Sequence, residues 1–181
     1  MNIIRIALQD VLLLEPVVHE DARGHFLESY NEREFERATG LRPRFVQDNH
    51  AHSLHNVLRG LHYQISQPQG KLVRVVSGEV FDVTVDLRES SPTFGQWAGF
   101  RLSAENRQML WIPAGFAHGF LVLSAHADCL YKATDYYAPQ HERCLRWDDP
   151  ALGIDWPLDG PPLLADKDRA GQPFARAERF P

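Results

Sequence analysis

Three observations predict a mainly β fold, an antiparallel barrel or jelly roll with a few short helices. The run from Lys71 to Arg88 alternates. After a turn at Ser77-Gly78, the residues Phe81, Val83, Val85 and Leu87 are apolar while Asp82, Thr84 and Asp86 intervene, which is the period of a half-buried strand. Further strand-like segments follow at 96–102, 108–112, 118–124 and 128–134, divided by turns at Ser91-Pro92-Thr93, Pro113-Ala114-Gly115 and Ala138-Pro139. No amphipathic helices stand between them, which argues for an antiparallel barrel or jelly roll.

The elements can be taken in order. Residues 2–18 alternate loosely and read as two short strands, followed by a turn over Glu20-Asp21-Ala22-Arg23-Gly24 and an extended segment from His25 to Tyr30. Asn31, with Glu34 three residues on, has the pattern of a helix N-cap. Gly40 supplies the C-cap, which predicts a surface helix over 32–39. Residues 44–49 read as strand, and the polar stretch 50–56 as a loop. Beyond Trp147 the alternation stops. Trp156-Pro157 and Pro161-Pro162 predict a tail anchored over the barrel by aromatic residues, residues 163–168 open a last short helix, and residues 169–181 are expected to be peripheral.

The chain has 181 residues, enough for one well-buried domain. The expected division is a single domain over 1–181, with a core to about residue 147 and the tail 148–181 packed over it. A formal net charge of −5 gives no electrostatic reason for nucleic-acid binding, so an anionic ligand requires a local cluster of Arg and Lys. Cys129 and Cys144 have no metal-knuckle or disulfide-framework spacing, and a reducing compartment fits them. Met1–Arg5 carries no signal-like apolar run, and nowhere do 18 apolar residues follow one another. The expectation is a soluble cytoplasmic protein without a membrane partner.

The segment Leu58-Arg59-Gly60-Leu61-His62-Tyr63-Gln64 combines a histidine, which exchanges a proton near neutral pH, with an arginine suited to anions. Lys71 follows seven residues later. Asp82, Thr84 and Asp86 either face solvent or line the barrel, where charged groups need partners; His62, Lys71, His118, Tyr131 and Lys132 in neighbouring strands favour the second. Pro113-Ala114-Gly115-Phe116-Ala117-His118 is the PxGxxH pattern of the second metal motif in many cupin jelly rolls. The earlier His-x-His pair of such sites reads His62-Tyr63-Gln64 here, so its second histidine is absent. The expectation is therefore no metal, with His118 holding a polar or anionic substrate group or serving the structure alone.

A set of segments then occurs in one order. Gln47-Asp48-Asn49 and Val57–Gln64 are followed by Gln69–Val73 and by Asp86-Leu87-Arg88 with Ser91–Gly95. Ile112–Phe120, Tyr131–Asp135 and Asp166-Lys167-Asp168 complete it. Together they resemble the dTDP-4-dehydrorhamnose 3,5-epimerase family of cupin-fold sugar epimerases, over nearly the whole chain. The resemblance implies a cupin-type jelly roll and a dTDP-sugar substrate, dTDP-4-dehydro-6-deoxy-D-glucose. Epimerisation at C3 and C5 would use protons acidified by the C4 ketone, without a cofactor. It implies His62 as base, Asp168 as its orienting partner, Lys71 stabilising the enolate oxygen and Tyr131 as the acid on the opposite face. A phenol with an ordinary pKa of about 10 is protonated at neutral pH. It further implies substrate binding by Arg23 and Arg59 at the diphosphate or nucleotide, Glu28, Gln47 and Asn49 at the thymidine, Tyr137 stacked on the base, Glu142 and Lys167 at the nucleotide sugar, and His118 near the hexose. A homodimer is implied too. The family pattern usually has Gly where Asn56 stands, which leaves the local turn open. A single-site epimerase or ketoisomerase on a related dTDP-keto sugar is the alternative activity.

Overall fold

The computed structural model describes residues 1–181, the side chain of Arg5 excepted. Thirteen strands and two short α-helices follow one another along the chain. Strands β1 (Asn2–Arg5), β2 (Leu12–Glu15), β3 (Val18–Asp21) and β4 (Gly24–Leu27) precede helix α1 (Glu32–Thr39). Then come β5 (Gln47–Leu54), β6 (Leu58–Gln64), β7 (Lys71–Ser77) and β8 (Glu79–Asp86). Strands β9 (Trp97–Ser103), β10 (Met109–Ile112), β11 (Phe116–Val122), β12 (His126–Ala133) and β13 (Glu142–Cys144) complete the barrel, and α2 (Asp166–Arg169) lies in the tail.

The strands form a six-stranded sheet in the order β1-β2-β10-β7-β12-β5 and a five-stranded sheet in the order β13-β6-β11-β8-β9. All their pairings are antiparallel. The inner faces enclose one core, to which Val73, Val75, Ile112 and Cys129 come from the first sheet and Val80, Leu102, Phe116 and Phe120 from the second. This is the cupin-type jelly roll. The hairpin β3–β4 belongs to neither sheet and projects from the body.

Part of each outer face is covered by a further layer. Phe35 of α1 packs with Leu14, Leu72, Met109 and Trp111 on the six-stranded sheet. The helix is capped at Asn31, whose side chain accepts from the backbone N–H of Arg33 and Glu34. The Glu34 carboxylate pairs with Arg37 rather than closing a capping box. Leu58, Leu61, Val83, Val85 and Leu121 on the five-stranded sheet are covered by Leu145, Leu152, Trp156, Phe174 and Phe180. Residues 169–181 are thus part of the packing and not peripheral as composition predicted. The Phe180 N–H donates to the Leu87 carbonyl, and the Tyr63 hydroxyl donates to the Glu178 carbonyl.

Two further expectations change. Residues 50–54 are strand, since β5 pairs with β12 from Gln47↔Ala133 to Leu54↔His126. The outward His50 and His52 pair with Asp128, which explains why a polar run is compatible with a strand on an outer face. The turn shrinks to His55-Asn56. Asn56 takes the left-handed conformation, φ 59°, which asparagine tolerates better than most residues. Its amide donates to the Pro161 carbonyl, so it serves where the family pattern has glycine.

The polar side of β8 also faces inward. Asp82, Thr84 and Asp86 are fully buried, while Val83, Val85 and Leu87 point to the tail. With both faces covered, the strand alternates between two kinds of interior. Asp86 is satisfied by Arg88, Ser91 and Thr93.

Candidate active site

Alternation places the first half of the site. On the six-stranded sheet, Lys71, Val73 and Val75 share a face, and cross-strand register sets Ala133 beside Lys71, and Tyr131 and Asn49 at the level of Val73. Because Val73 and Val75 belong to the barrel core, Gln47, Asn49, Lys71 and Tyr131 also point inward.

The five-stranded sheet breaks the rule. Leu58 and Leu61 both face the tail, although strict alternation sends residues three apart to opposite sides. The register of β11 on β6 runs His118↔His62 but Phe120↔Arg59, so three steps on β6 oppose two on β11. This bulge at Gly60 turns both Arg59 and His62 toward the interior. Gly60 has φ 115°, and a Cβ there would stand 2.6 Å from the Gly119 Cα. Only glycine fits both the backbone angle and the contact.

The inward residues meet in one cavity of about 360 Å³, at one end of the barrel. Gln47, Asn49, Arg59, His62, Lys71, His118, Tyr131, Tyr137, Glu142, Lys167 and Asp168 all line it. Arg23 and Glu28 do not. Arg23 lies on the projecting hairpin, its side chain 90% exposed and paired with Asp21 at 2.6 Å. Glu28 lines a separate surface depression with Met1, Phe26 and Glu34.

The tail delivers the central contact. The backbone N–H of Gln172 donates to the Cys144 carbonyl, and that of Arg146 to the Gln172 carbonyl. These bonds fasten the segment after α2 to β13 and bring Asp168, 2% exposed, against β6. Its Oδ1 lies 2.5 Å from the His62 Nε2. Nε2 therefore carries the proton shared with the carboxylate, and Nδ1 is left as the second ring nitrogen of the dyad. Cys144 is directly opposite His62 in the β13–β6 pair, which adds a thiol beside the dyad.

A second buried pair lies deeper. His118 Nε2 is 2.9 Å from both carboxylate oxygens of Asp82. Asp82 opposes Phe120 in the register, so it reaches His118 diagonally. Sequence alone left Asp82 open between solvent and interior. The signal that decides it is the inward histidine two residues from its cross-strand partner.

The electrostatics match the positions. Burial pushes the Lys71 ammonium down to about 8, although Asp82 and Glu142 act in the opposite direction. Burial raises the Tyr131 phenol, partly offset by Arg59, so it holds its proton firmly. At the mouth, Lys167 Nζ contacts Glu142 at 2.9 and 3.1 Å, and the Tyr137 hydroxyl donates to the same carboxylate at 3.2 Å. Burial works against the Lys167 cation, but the Glu142 contact outweighs it and raises its pKa. Gln47 receives the Tyr137 backbone N–H and donates to the Asn49 Oδ1. Arg59 donates to the Ser53 hydroxyl and the His52 carbonyl. Such a cavity offers a histidine–carboxylate base on one sheet and a phenol with a cation on the facing sheet.

Comparison with known proteins identifies the family. Residues 5–176 match the sequence profile of the dTDP-4-dehydrorhamnose 3,5-epimerase family. A dTDP-4-dehydrorhamnose 3,5-epimerase of Pseudomonas aeruginosa is 64% identical over 181 residues, the full length of both chains. One from Shigella flexneri is 55% identical over 181 residues, covering 99% of each. The crystal structure of a dTDP-6-deoxy-D-glucose-3,5-epimerase from Legionella pneumophila, in complex with dTDP-4-keto-L-rhamnose, superposes with a TM-score of 0.95 at 51% identity. That superposition covers 98% of this chain and 94% of the other. With profile, identity and fold in agreement over nearly every residue, the chain belongs to the dTDP-4-dehydrorhamnose 3,5-epimerase family.

Proposed function

We propose that the protein epimerises dTDP-4-dehydro-6-deoxy-D-glucose at C3 and C5, giving dTDP-4-dehydro-L-rhamnose by proton transfer alone. The observation that carries this reading is the His62–Asp168 dyad on one wall of a cavity whose other wall holds Tyr131 and Lys71. Inverting a carbon requires a proton to leave from one face and another to arrive at the opposite face. A base and an acid on facing sheets meet that requirement.

The free nitrogen of His62 takes the proton alpha to the ketone, and Asp168 holds the ring and stabilises the imidazolium. The C–H electron pair moves into the enolate, whose C4 oxygen carries the negative charge. Lys71 supplies the positive charge that opposes it. Tyr131 then gives its phenolic proton to the carbanion carbon from the other side, and exchange with solvent restores both groups. C3 and C5 flank the same ketone, so one oxygen-stabilising cation serves both. Deuterium exchange from D2O into the two carbons tests the reaction.

The nucleotide end is assigned to the mouth of the cavity. Arg59 holds the diphosphate, Gln47 and Asn49 read the thymidine, Tyr137 stacks on the base, Glu142 and Lys167 contact the nucleotide sugar, and His118 lies near the hexose. Guanidinium and amide groups suit these partners. Residues 1–181 act as one domain, a core to about residue 147 with the tail 148–181 over it. The support is that the tail contributes Lys167 and Asp168 to the cavity.

The active form is a homodimer in which the β3–β4 hairpin crosses to a second copy and brings Arg23 and Glu28 to its nucleotide. The support is the exposure of this arm: Phe26 is 67% and Val17 55% exposed, on a hairpin that belongs to neither main sheet. Among the described residues no helix is long and apolar enough to cross a membrane. A cytoplasmic location is consistent with the unbonded Cys129 and Cys144.

A further inference from the structure

Cys144 has no part in the chemistry proposed above, yet its position is specific. It opposes His62 in the β13–β6 pair, so the two side chains stand on the same face of the sheet. Asp168 approaches the same point from α2. A ring nitrogen of His62, the Cys144 sulfur and a carboxylate oxygen of Asp168 lie within 4.8 Å of one another. Nitrogen, sulfur and oxygen donors are the set that zinc takes. Around a tetrahedral zinc with bonds of about 2.0–2.3 Å the donors stand roughly 3.3–3.7 Å apart. Nε2 and Oδ1, which share a proton at 2.5 Å, must part by about 1 Å to take an ion between them, and the cavity lined by His62 and Asp168 gives the ion its approach.

We propose that His62, Cys144 and Asp168 form a three-donor site for Zn²⁺ or another thiophilic divalent ion, and that its occupancy reversibly switches off proton transfer. The switch-off rests on the reading of His62 as the base; the binding site does not. On binding, the ion bonds to Nε2, to the sulfur and to the carboxylate oxygen. The thiol proton leaves to solvent. The ring proton moves from Nε2 to Nδ1, since a neutral imidazole metallated at one nitrogen carries its proton on the other. No ring lone pair then remains to accept a proton from substrate. Thiolate and carboxylate together neutralise the ion's charge.

The Cys144 thiol is unbonded and half-buried, and an ion bound there must displace its proton. The nearby Lys167 cation opposes an incoming ion, but it is paired with Glu142. A competing place for zinc is the outer face of β5 and β12, where His50 and His52 both contact Asp128 at 2.8 and 3.0 Å. That cluster has no sulfur, and this separates the two sites.

The test uses full-length, metal-free protein titrated with Co²⁺ as a spectroscopic probe and with Zn²⁺ against a chromophoric chelator. Deuterium wash-in is measured on the same samples. Expected are thiolate-to-cobalt charge-transfer absorption in the wild type, its absence in Cys144→Ser, and zinc affinity in that variant lower by about tenfold or more. Wash-in should fall with occupancy, return on adding EDTA, and resist zinc in Cys144→Ser. Cys144→Ala, which leaves a smaller side chain, should repeat the result and guards against a folding defect in the serine variant. Equal zinc affinity in wild type and both variants overturns the site, as does zinc binding that is lost only in His52→Asn. Wash-in that persists at full occupancy of a Cys144-dependent site overturns the switch. Absence of wash-in from the metal-free wild type counts against the epimerase reading and leaves the cobalt spectrum to judge the site.

Discussion

Nε2 of His62 and Oδ1 of Asp168 lie 2.5 Å apart although 106 residues separate them in the chain. The carboxylate fixes which nitrogen keeps the proton, and so which one is free to act. Asp168→Asn removes the charge and keeps the shape. It should lower turnover by about 10²–10⁴-fold while circular dichroism and thermal unfolding stay near wild type. His62→Ala should abolish wash-in at both carbons. Turnover near wild type in Asp168→Asn would show that the dyad is structural.

Tyr131 faces the dyad from the other sheet. Tyr131→Phe keeps the ring and removes the phenolic proton proposed to reach the substrate. Net epimerisation should fall by about 10²–10⁴-fold, whereas proton abstraction, read as wash-in to recovered substrate, should suffer less. Normal turnover in this variant would assign the acid to another group.

Lys71 makes the pH dependence specific. Its folded pKa of about 8 lies below the ordinary lysine value of 10.5. With Lys71 as the proposed support of the enolate, its charge is lost as pH rises through about 8, and kcat/KM should decline there. Lys71→Arg should remove that decline if it folds, because guanidinium stays charged. The linked stability term has the opposite sign: between about 8 and 10.5 the unfolded chain binds more protons than the folded one, so this group's penalty fades as pH rises. Lys71→Met should therefore be more stable than wild type at neutral pH, by a margin that narrows across that window in denaturant titrations.

The arm carrying Arg23 predicts complementation. Arg23→Ala should raise KM by roughly 10–100-fold, the size of a lost charge-assisted hydrogen bond. Mixing Arg23→Ala chains with His62→Ala chains, after dissociation and reassembly, should restore roughly a quarter of the wild-type sites, since half the dimers are mixed and each holds one intact site. No recovery from a confirmed mixed dimer would show that the hairpin serves its own chain.

How much was legible before folding depended on where alternation holds. Lys71 and Tyr131 sit on regular strands, so their inward direction follows from the period-two pattern around Val73 and Val75. Arg59 and His62 do not obey it. They face the same cavity only because of the bulge at Gly60 and the close approach of Gly119, a long-range contact that local pattern does not encode. Asp82 was ambiguous because a strand covered on both faces presents the same alternation as one facing solvent. His50 and His52 looked like loop because their partner, Asp128, lies far along the chain. The role of 169–181 was missed because Phe174 and Phe180 are isolated apolar residues in a polar stretch, and only the packed tail shows what they cover.

The most direct test is mass spectrometry and NMR of product formed from dTDP-4-dehydro-6-deoxy-D-glucose in D2O with metal-free protein. A base on one sheet and an acid on the other, both acting beside a common ketone, predict one deuterium at C3 and one at C5, with both centres inverted. Label and inversion confined to one carbon, or label absent from both, would contradict the account.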